Sequence, residues 1–327
     1  MNESVTIPTP KKGDRICVVG AGFMGCVIAT IYAHYGYQVV INDADAATAE
    51  SYAERARPIV ATFTEDAAEA AAILGRVSVE PLLEKAVEGV FLAHEVVQEV
   101  IEVKQAVFEQ LDQLCPDRVI LGTNTSSLLL SQVAARVNKR ERVLGIHYVT
   151  PAHIVRVVEL IHADFTPDHL VDWGRRFLAT IDHVGVACAE RPGFLVNRIQ
   201  FAMLSEIYRL VDEGLASRED IDSAVRLSLG PRLALWGPLL TEDLVVSKAT
   251  ALAVTDSLYQ QTGDENFKGR DALRRLVAEG RQGALTGQGW YTFRNDYGRV
   301  VEERDAQLSK LLDWLRALDP VRRMNVG

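Results

Sequence analysis

The chain reads as an α/β domain built on a mostly parallel sheet, followed by an all-α domain. Three observations predict this. Between Arg15 and about Ala189, short β-branched runs alternate with longer stretches of helical periodicity, the order expected of βαβ units. After Arg191-Pro192-Gly193 the alternation stops and helical spacing takes over. The 327 residues, 48% hydrophobic and 24% charged, hold enough apolar surface for two cores at roughly 100–200 residues per domain. The boundary is expected near residue 190, giving domains 1–190 and 191–327.

The expected strands, in order, are Ile16–Val19, Gln38–Ile41, Val90–Ala93, Val119–Leu121, Val143–Ile146, Val155–Ile161 and Val184–Ala187. The Ala- and Glu-rich Thr64–Ala72 reads as a solvated helix. Beyond the boundary, Phe194, Ile199, Met203, Ile207 and Leu210 predict a helix whose first turn would suit Pro192. Gly214 should stop it, and Ser217 with Asp220 should cap the next. Trp290–Phe293 is the only strand candidate in this half. Leu308, Leu311, Leu312 and Leu315 line one face of a closing helix over Glu302–Leu318.

Composition excludes several classes. A formal net charge of −9 argues against nucleic acid or anionic lipid as partner. No apolar run approaches the roughly 20 residues that cross a bilayer. The polar start, Met1–Arg15, lacks the apolar stretch of a secretory signal and reads as a loose leader on a cytoplasmic protein. Cys17, Cys26, Cys115 and Cys188 are scattered without metal-ligand spacing, so neither a disulfide framework nor a metal site is expected. They read as buried small hydrophobes.

The first strand runs directly into Gly20-Ala21-Gly22-Phe23-Met24-Gly25 and then into a helical stretch, Cys26–Tyr35. In this setting Gly20 permits the tight turn and Gly22 the close approach of backbone to a pyrophosphate. Gly25 allows helix and strand to pack closely, and the helix N-terminus faces the phosphates. Asp43 closes the second strand 21 residues after Gly22. A carboxylate there accepts ribose hydroxyls and repels a 2′-phosphate, and Ala44-Asp45-Ala46 offers no arginine for one, so NAD is expected over NADP. The sheet domain is therefore Rossmann-like.

A nicotinamide enzyme needs a base for the substrate hydroxyl, and parallel sheets place such groups at strand ends. His147 ends one strand, and Glu159 lies 12 residues later inside an apolar run. A buried carboxylate wants a partner, and an imidazole is the natural one. On spacing alone, a core histidine with an unrelated strand glutamate fits as well as a catalytic dyad.

Six segments in order then carry a resemblance: the glycine motif, Thr123-Asn124-Thr125-Ser126-Ser127, His147-Tyr148-Val149-Thr150-Pro151, Val157-Val158-Glu159, Pro192-Gly193-Phe194-Leu195-Val196-Asn197-Arg198, and Gly287-Gln288-Gly289-Trp290-Tyr291. The series resembles the 3-hydroxyacyl-CoA dehydrogenase family. The resemblance implies His147 as general base and Glu159 as the carboxylate that orients it. It implies Ser126 and Asn197 as groups bonding substrate oxygen. Glu95 would lie near the nicotinamide ribose, with Asn124 and the glycine motif, including Phe23 and Met24, on the cofactor. A homodimer through the helical domain is also implied.

Several positions depart from the family pattern. Thr150 stands where an asparagine is usual, removing a two-donor amide. Asp43–Glu95 is short for the insertion on which acyl-CoA-specific members bind CoA, and its bases are only Arg55, Arg57, Arg76 and Lys85. Leu229-Gly230-Pro231-Arg232 and Pro151-Ala152-His153 are similar to the branch acting on small carboxylates, such as gulonate 3-dehydrogenase (lambda-crystallin) and carnitine dehydrogenase. Arg232 would then grip a carboxylate, with His153 behind it. The expectation is NAD-dependent oxidation of a 3-hydroxy acid in the cleft between the domains, with a small free carboxylate as substrate. The alternatives are a 3-hydroxyacyl-CoA or carrier-bound acyl group, aldehyde oxidation on an aromatic carboxylate, and a non-catalytic cofactor-binding or structural protein on the same scaffold.

Overall fold

The computed structural model describes residues 7–318. The chain groups into two compact units that divide between Leu204 and Ser205. The first unit holds one eight-stranded sheet: β1 Arg15–Val19, β2 Gln38–Asn42, β3 Val77–Val79, β4 Val90–Glu95, β5 Ile120–Thr123, β6 Val143–Tyr148, β7 Val157–His162 and β8 Val184–Ala189. Their order is β3-β2-β1-β4-β5-β6-β7-β8, and every neighbouring pair is parallel except β6 with β7. Alternation along β1 shows why the sheet is buried on both faces. Ile16 and Val18 pack in one layer with Ile28 and Tyr32 from the helix Phe23–His34. Cys17 and Val19 pack in the other with Phe108 and Leu111 from the helix Ile101–Leu114.

The structure corrects the sequence reading in four places. The three-residue edge strand β3 is an addition; Val-Ser-Val between a helix and a turn is too short to show a period. Trp290–Phe293 is not a strand: its ladder is reduced to single bridges, Gly283 with Gln288 and Gln288 with Thr292. Pro192 does not open a helix. It precedes two left-handed residues, Gly193 (φ 79°) and Phe194 (φ 48°), and the helix begins at Val196. Finally, the leader is not loose from Ile7 onward. The indole N–H of Trp173 donates to the Pro8 carbonyl (3.2 Å), and Arg176 donates to the Ile7 carbonyl (3.0 Å) and the Thr9 hydroxyl (3.1 Å); Met1–Thr6 lie outside the described residues.

The four cysteines are unpaired; three are buried and Cys188 is half-buried. Burial pushes the thiols of Cys115 and Cys188 up to about 11, so both stay protonated at neutral pH.

The second unit is helical: Arg218–Ala224, Gly230–Val245, Lys248–Thr262, Asp271–Ala278 and Tyr297–Leu318, preceded by the end of Val196–Asp212. Gly214 (φ 63°) follows that helix, and Ser217 accepts the Asp220 N–H as the next cap, both as expected. This unit is pinned by a buried ion pair, Lys248 Nζ to Asp243 Oδ1 at 2.7 Å, both side chains fully buried. Asp243 also accepts the backbone N–H groups of Trp290 (3.1 Å) and Tyr291 (2.9 Å). Gly289 exists for this contact, because a Cβ there would stand 2.2 Å from Asp243 Oδ1. No described helix is long and apolar enough to cross a membrane. Gly289→Ala must open the pair, so we expect a loss of about 3–5 kcal/mol, read as a lower thermal midpoint and faster proteolysis of residues 205–318.

Candidate active site

Polar side chains gather where β1, β4, β5 and β6 end, the edge at which doubly wound sheets bind ligands. The glycine motif sits at the end of β1. Gly20 has φ 110°, and a Cβ on it would come within 2.6 Å of the Val96 carbonyl. One on Gly25 would lie 1.9 Å from the Gly20 carbonyl. The helix Phe23–His34 starts at Gly22 with no side-chain cap and no acid in its first turn, so its N–H groups stay open to an anion. Asp43 Oδ2 accepts the Ala21 N–H (2.6 Å) and Oδ1 the Asp45 N–H (2.9 Å), which leaves lone pairs on both oxygens for ribose hydroxyls. These residues fit a dinucleotide. One base takes a place that the sequence does not disclose: Arg55 folds back to donate to the carbonyls of Ala21 and Thr48, both at 2.7 Å. Its guanidinium is thus committed beside the ribose end of the cradle.

The base candidate lies on β6. Antiparallel pairing of β6 with β7 sets His147 directly opposite Glu159, and directly opposed residues on such a pair share a face. His147 Nδ1–H donates to Glu159 Oε2 at 2.7 Å. The other oxygen, Oε1, accepts the backbone N–H groups of Leu195 and Val196, each at 2.8 Å. Those donors point inward because Gly193 and Phe194 turn the chain left-handed just before the helix. A buried phenylalanine in that conformation is backbone strain held by packing, with its ring 5.8 Å from the His147 ring. Burial raises the Glu159 carboxyl, but the bonds from His147, Val196 and Leu195 outweigh it and leave the group below its ordinary value. Glu159 is therefore ionised, Nδ1 carries the proton, and Nε2 presents its lone pair.

Nε2 faces Ser126, whose hydroxyl lies 3.1 Å away and donates to it. Asn197 donates to the Ser126 carbonyl at 3.4 Å, so His147, Glu159, Ser126 and Asn197 form one constellation. Ser126 caps no helix. Asn124 holds the backbone instead, its Oδ1 accepting the Tyr148 N–H at 2.8 Å. Thr150 donates to the Met24 sulfur at 3.7 Å, linking the residues after His147 to the glycine motif. His153 stands apart from these bonds, its ring edge-on to Phe63. Arg232 lies in the second unit, folded back on Ser228 through its carbonyl (2.9 Å) and hydroxyl (3.1 Å).

The expected role of Glu95 meets a buried network. Its side chain is fully buried, bonded by Lys104 (2.8 Å), Thr123 (2.7 Å) and the Val97 N–H (2.7 Å). Lys104 also pairs with Glu99 at 3.3 Å. Glu99 Oε1 collects the Thr125 hydroxyl (2.7 Å), the N–H groups of Ser126 (2.8 Å) and Ser127 (2.9 Å), and the Ser127 hydroxyl (2.9 Å). Burial opposes ionisation of Glu99, but the Thr125, Lys104 and Ser127 contacts prevail and hold its carboxyl down to about 2. Lys104 is the residue that sequence reading misses. A signal for it exists: with Phe108 and Leu111 it forms the buried stripe of its helix, and a cation on such a stripe needs buried acids. A cavity of about 830 Å³ lies at the opposite edge of the sheet, between the strand starts and Trp173, away from all of these groups.

The descriptions "3-hydroxyacyl-CoA dehydrogenase, NAD binding domain" and "3-hydroxyacyl-CoA dehydrogenase, C-terminal domain" match residues 15–191 and 193–293. The chain belongs to the 3-hydroxyacyl-CoA dehydrogenase family. It is an NAD-dependent oxidoreductase acting on CH–OH groups. It is 30% identical to a probable 3-hydroxybutyryl-CoA dehydrogenase of Bacillus subtilis over 283 residues, covering 85% of this chain and 97% of the relative. It is also 30% identical to the 3-hydroxybutyryl-CoA dehydrogenase of Clostridioides difficile, covering 85% and 99%. The crystal structure of a 3-hydroxyacyl-CoA dehydrogenase from Archaeoglobus fulgidus superposes with a TM-score of 0.80 at 30% identity, over 92% of this chain and 99% of that one.

Glu99→Gln should cost about 1–2 kcal/mol by leaving Lys104 with one acid, lowering Tm at pH 7 by about 2–8 °C. Wild-type Glu99 is ionised above its ordinary value of 4.5 and protonated as pH falls through about 2. The Tm difference between the two proteins should therefore shrink across that window in thermal melts.

Proposed function

We propose that this enzyme interconverts a short 3-hydroxyacyl-CoA and its 3-oxoacyl-CoA, with His147 as the general base. The observation that carries the reading is the one-proton state of His147: Nδ1–H on an ionised Glu159, Nε2 with its lone pair toward Ser126. NAD, held by the Gly20–Gly25 motif and Asp43, would supply the hydride acceptor for the carbon that bears the hydroxyl. His147 Nε2 takes the hydroxyl proton, and Glu159 stabilises the imidazolium so formed. Ser126 and Asn197 hold the substrate oxygen between them. In the reducing direction the same imidazolium returns the proton. The names of the two bacterial relatives, matched over nearly their full length, support the thioester.

A second reading is the free 3-hydroxy acid, and a specific observation favours it. Of the four bases on the segment between Asp43 and Glu95, Arg55 and Arg76 tie part of their guanidinia to backbone carbonyls, which leaves fewer donors for a CoA phosphate. Arg232 as a carboxylate grip belongs to this reading.

NADH oxidation with acetoacetyl-CoA against acetoacetate decides between the two. The thioester should turn over at least about 100-fold more efficiently; the reverse order would move the assignment to the free acid, and Arg232→Ala would then raise KM. His147→Ala and Glu159→Gln should each lower kcat by about 10²–10⁴-fold, with NADH affinity nearly unchanged. Full activity in His147→Ala would remove the base assignment.

The helical unit supports a homodimer. Neither Val196–Asp212 nor Tyr297–Leu318 has a single fully buried residue, and Met203, Tyr208, Val211, Val254 and Trp314 are exposed in the lone chain. So much exposed apolar surface on packed helices is expected to be covered by a second copy. Light scattering at micromolar concentration should give twice the chain mass; a strict monomer would refute it.

A further inference from the structure

Strand β5 ends before the site does. Its pairing with β6 runs Leu121 with Val143, Gly122 with Leu144 and Thr123 with Gly145, and stops there. β6 continues to Tyr148, so the part that carries His147 has β7 on one side and no strand on the other. Two side chains replace the missing partner. Asn124 accepts the N–H of Tyr148, the residue after His147. His94 bonds the carbonyl of Ile146, the residue before it, through Nε2 at 3.2 Å.

His94 stands on β4 and is paired with Gly122 on the intervening strand. Gly122 is what lets it reach β6. A Cβ there would meet Ile146 Cδ1 at 3.0 Å and the His94 ring at 3.3 Å, so the bare glycine leaves the path across β5 open. A carbonyl only accepts, so Nε2 carries the proton. Nδ1 must then accept, and the Tyr32 hydroxyl donates to it at 2.9 Å. The imidazole is fully buried between the rings of Tyr32 and Tyr148, each 6.1 Å from it. Burial drives its pKa down to about 3, and the Lys104 charge from the flanking helix acts in the same direction. The groups around it are thus two phenols, both held well above their ordinary value by burial, and the Lys104 side chain. The ring keeps a single proton, on Nε2, across any working pH.

We propose that His94 is a positioning residue for the reaction: across Gly122 it fixes the backbone ahead of His147 where β5 has run out, and with Asn124 it clamps the base from both sides. This rests on the reading of His147 as the base. Displacement of a reacting group by an ångström can cost up to about 10²-fold in rate, so partial loosening is expected to cost about tenfold.

Three variants test it. His94→Phe keeps a ring and loses the donor; His94→Gln places an amide N–H near the Nε2 position; Tyr32→Phe removes the hydroxyl that donates to Nδ1. The first readout needs no substrate: the exchange rate of the His147 Nδ1–H, seen by proton NMR in the bond to Glu159. It should rise at least about tenfold in His94→Phe, about threefold in Tyr32→Phe, and stay within about twofold of wild type in His94→Gln. The second is kcat for acetoacetyl-CoA reduction, expected to fall about tenfold in His94→Phe with KM and NADH affinity within about twofold, and to recover in His94→Gln. If wild type ignores acetoacetyl-CoA, the substrate reading fails and the exchange measurement still judges His94. If His94→Phe does not fold, Tyr32→Phe and His94→Gln carry the comparison. Unchanged exchange and kcat in folded His94→Phe, or equal defects in His94→Phe and His94→Gln, would reduce His94 to packing and overturn the proposal.

Discussion

The Glu159 carboxylate is the contact on which the site depends. An ionised carboxylate with no solvent exposure is stable only with its lone pairs filled, and here three donors fill them: one imidazole and two backbone amides. Each donor imposes a structural demand. The imidazole must come from the opposed residue of an antiparallel strand, which explains why β7 alone runs against its neighbour β6. The amides must come from the start of a helix, which requires the left-handed turn at Gly193 and Phe194. The Pro-Gly-Phe-x-x-Asn-Arg segment is therefore a device for aiming two N–H groups at one carboxylate, and it delivers Asn197 to Ser126 in the same turn of chain.

The same logic recurs at the end of the sheet. Strands that stop early leave backbone groups without partners, and buried groups of this kind must find others. Asn124 and His94 serve those of β6, and Glu99 serves the loop from Thr125 to Ser127. Glu99 is in turn neutralised by Lys104, which also holds Glu95. The polar residues of the site are thus joined in chains, each member buried because the next satisfies it. The hydroxyl of Ser126 gains its direction from this frame, because a mobile loop could not hold it 3.1 Å from Nε2.

Much of this is legible in the chain. Patterning locates seven of the strands and the helical half, because β-branched runs and helical spacing differ in period. The glycine motif and Asp43 are legible because two of the glycines answer a steric demand that no other residue meets: a Cβ at Gly20 or Gly25 would run into backbone carbonyl groups. The failures share a cause. β3 is too short to show a period; Trp290–Phe293 looks like a strand but answers to Asp243, 47 residues before Trp290. The leader looks loose in the sequence because its partners, Trp173 and Arg176, are far along the chain.

What the sequence determined by itself was periodicity and local chemistry: which segments are strands, which end in glycine or acid, that His147 ends a strand, and that Glu159 is unusual for its apolar setting. It left open whether those two meet, since a 12-residue separation suits adjacent or distant strands equally. Tertiary structure decided that question through register, because opposed residues of an antiparallel pair are forced onto one face. It likewise decided which nitrogen of His94 and of His147 holds the proton. Tautomers are chosen by the partners a ring meets across the sheet, and no spacing along the chain records them.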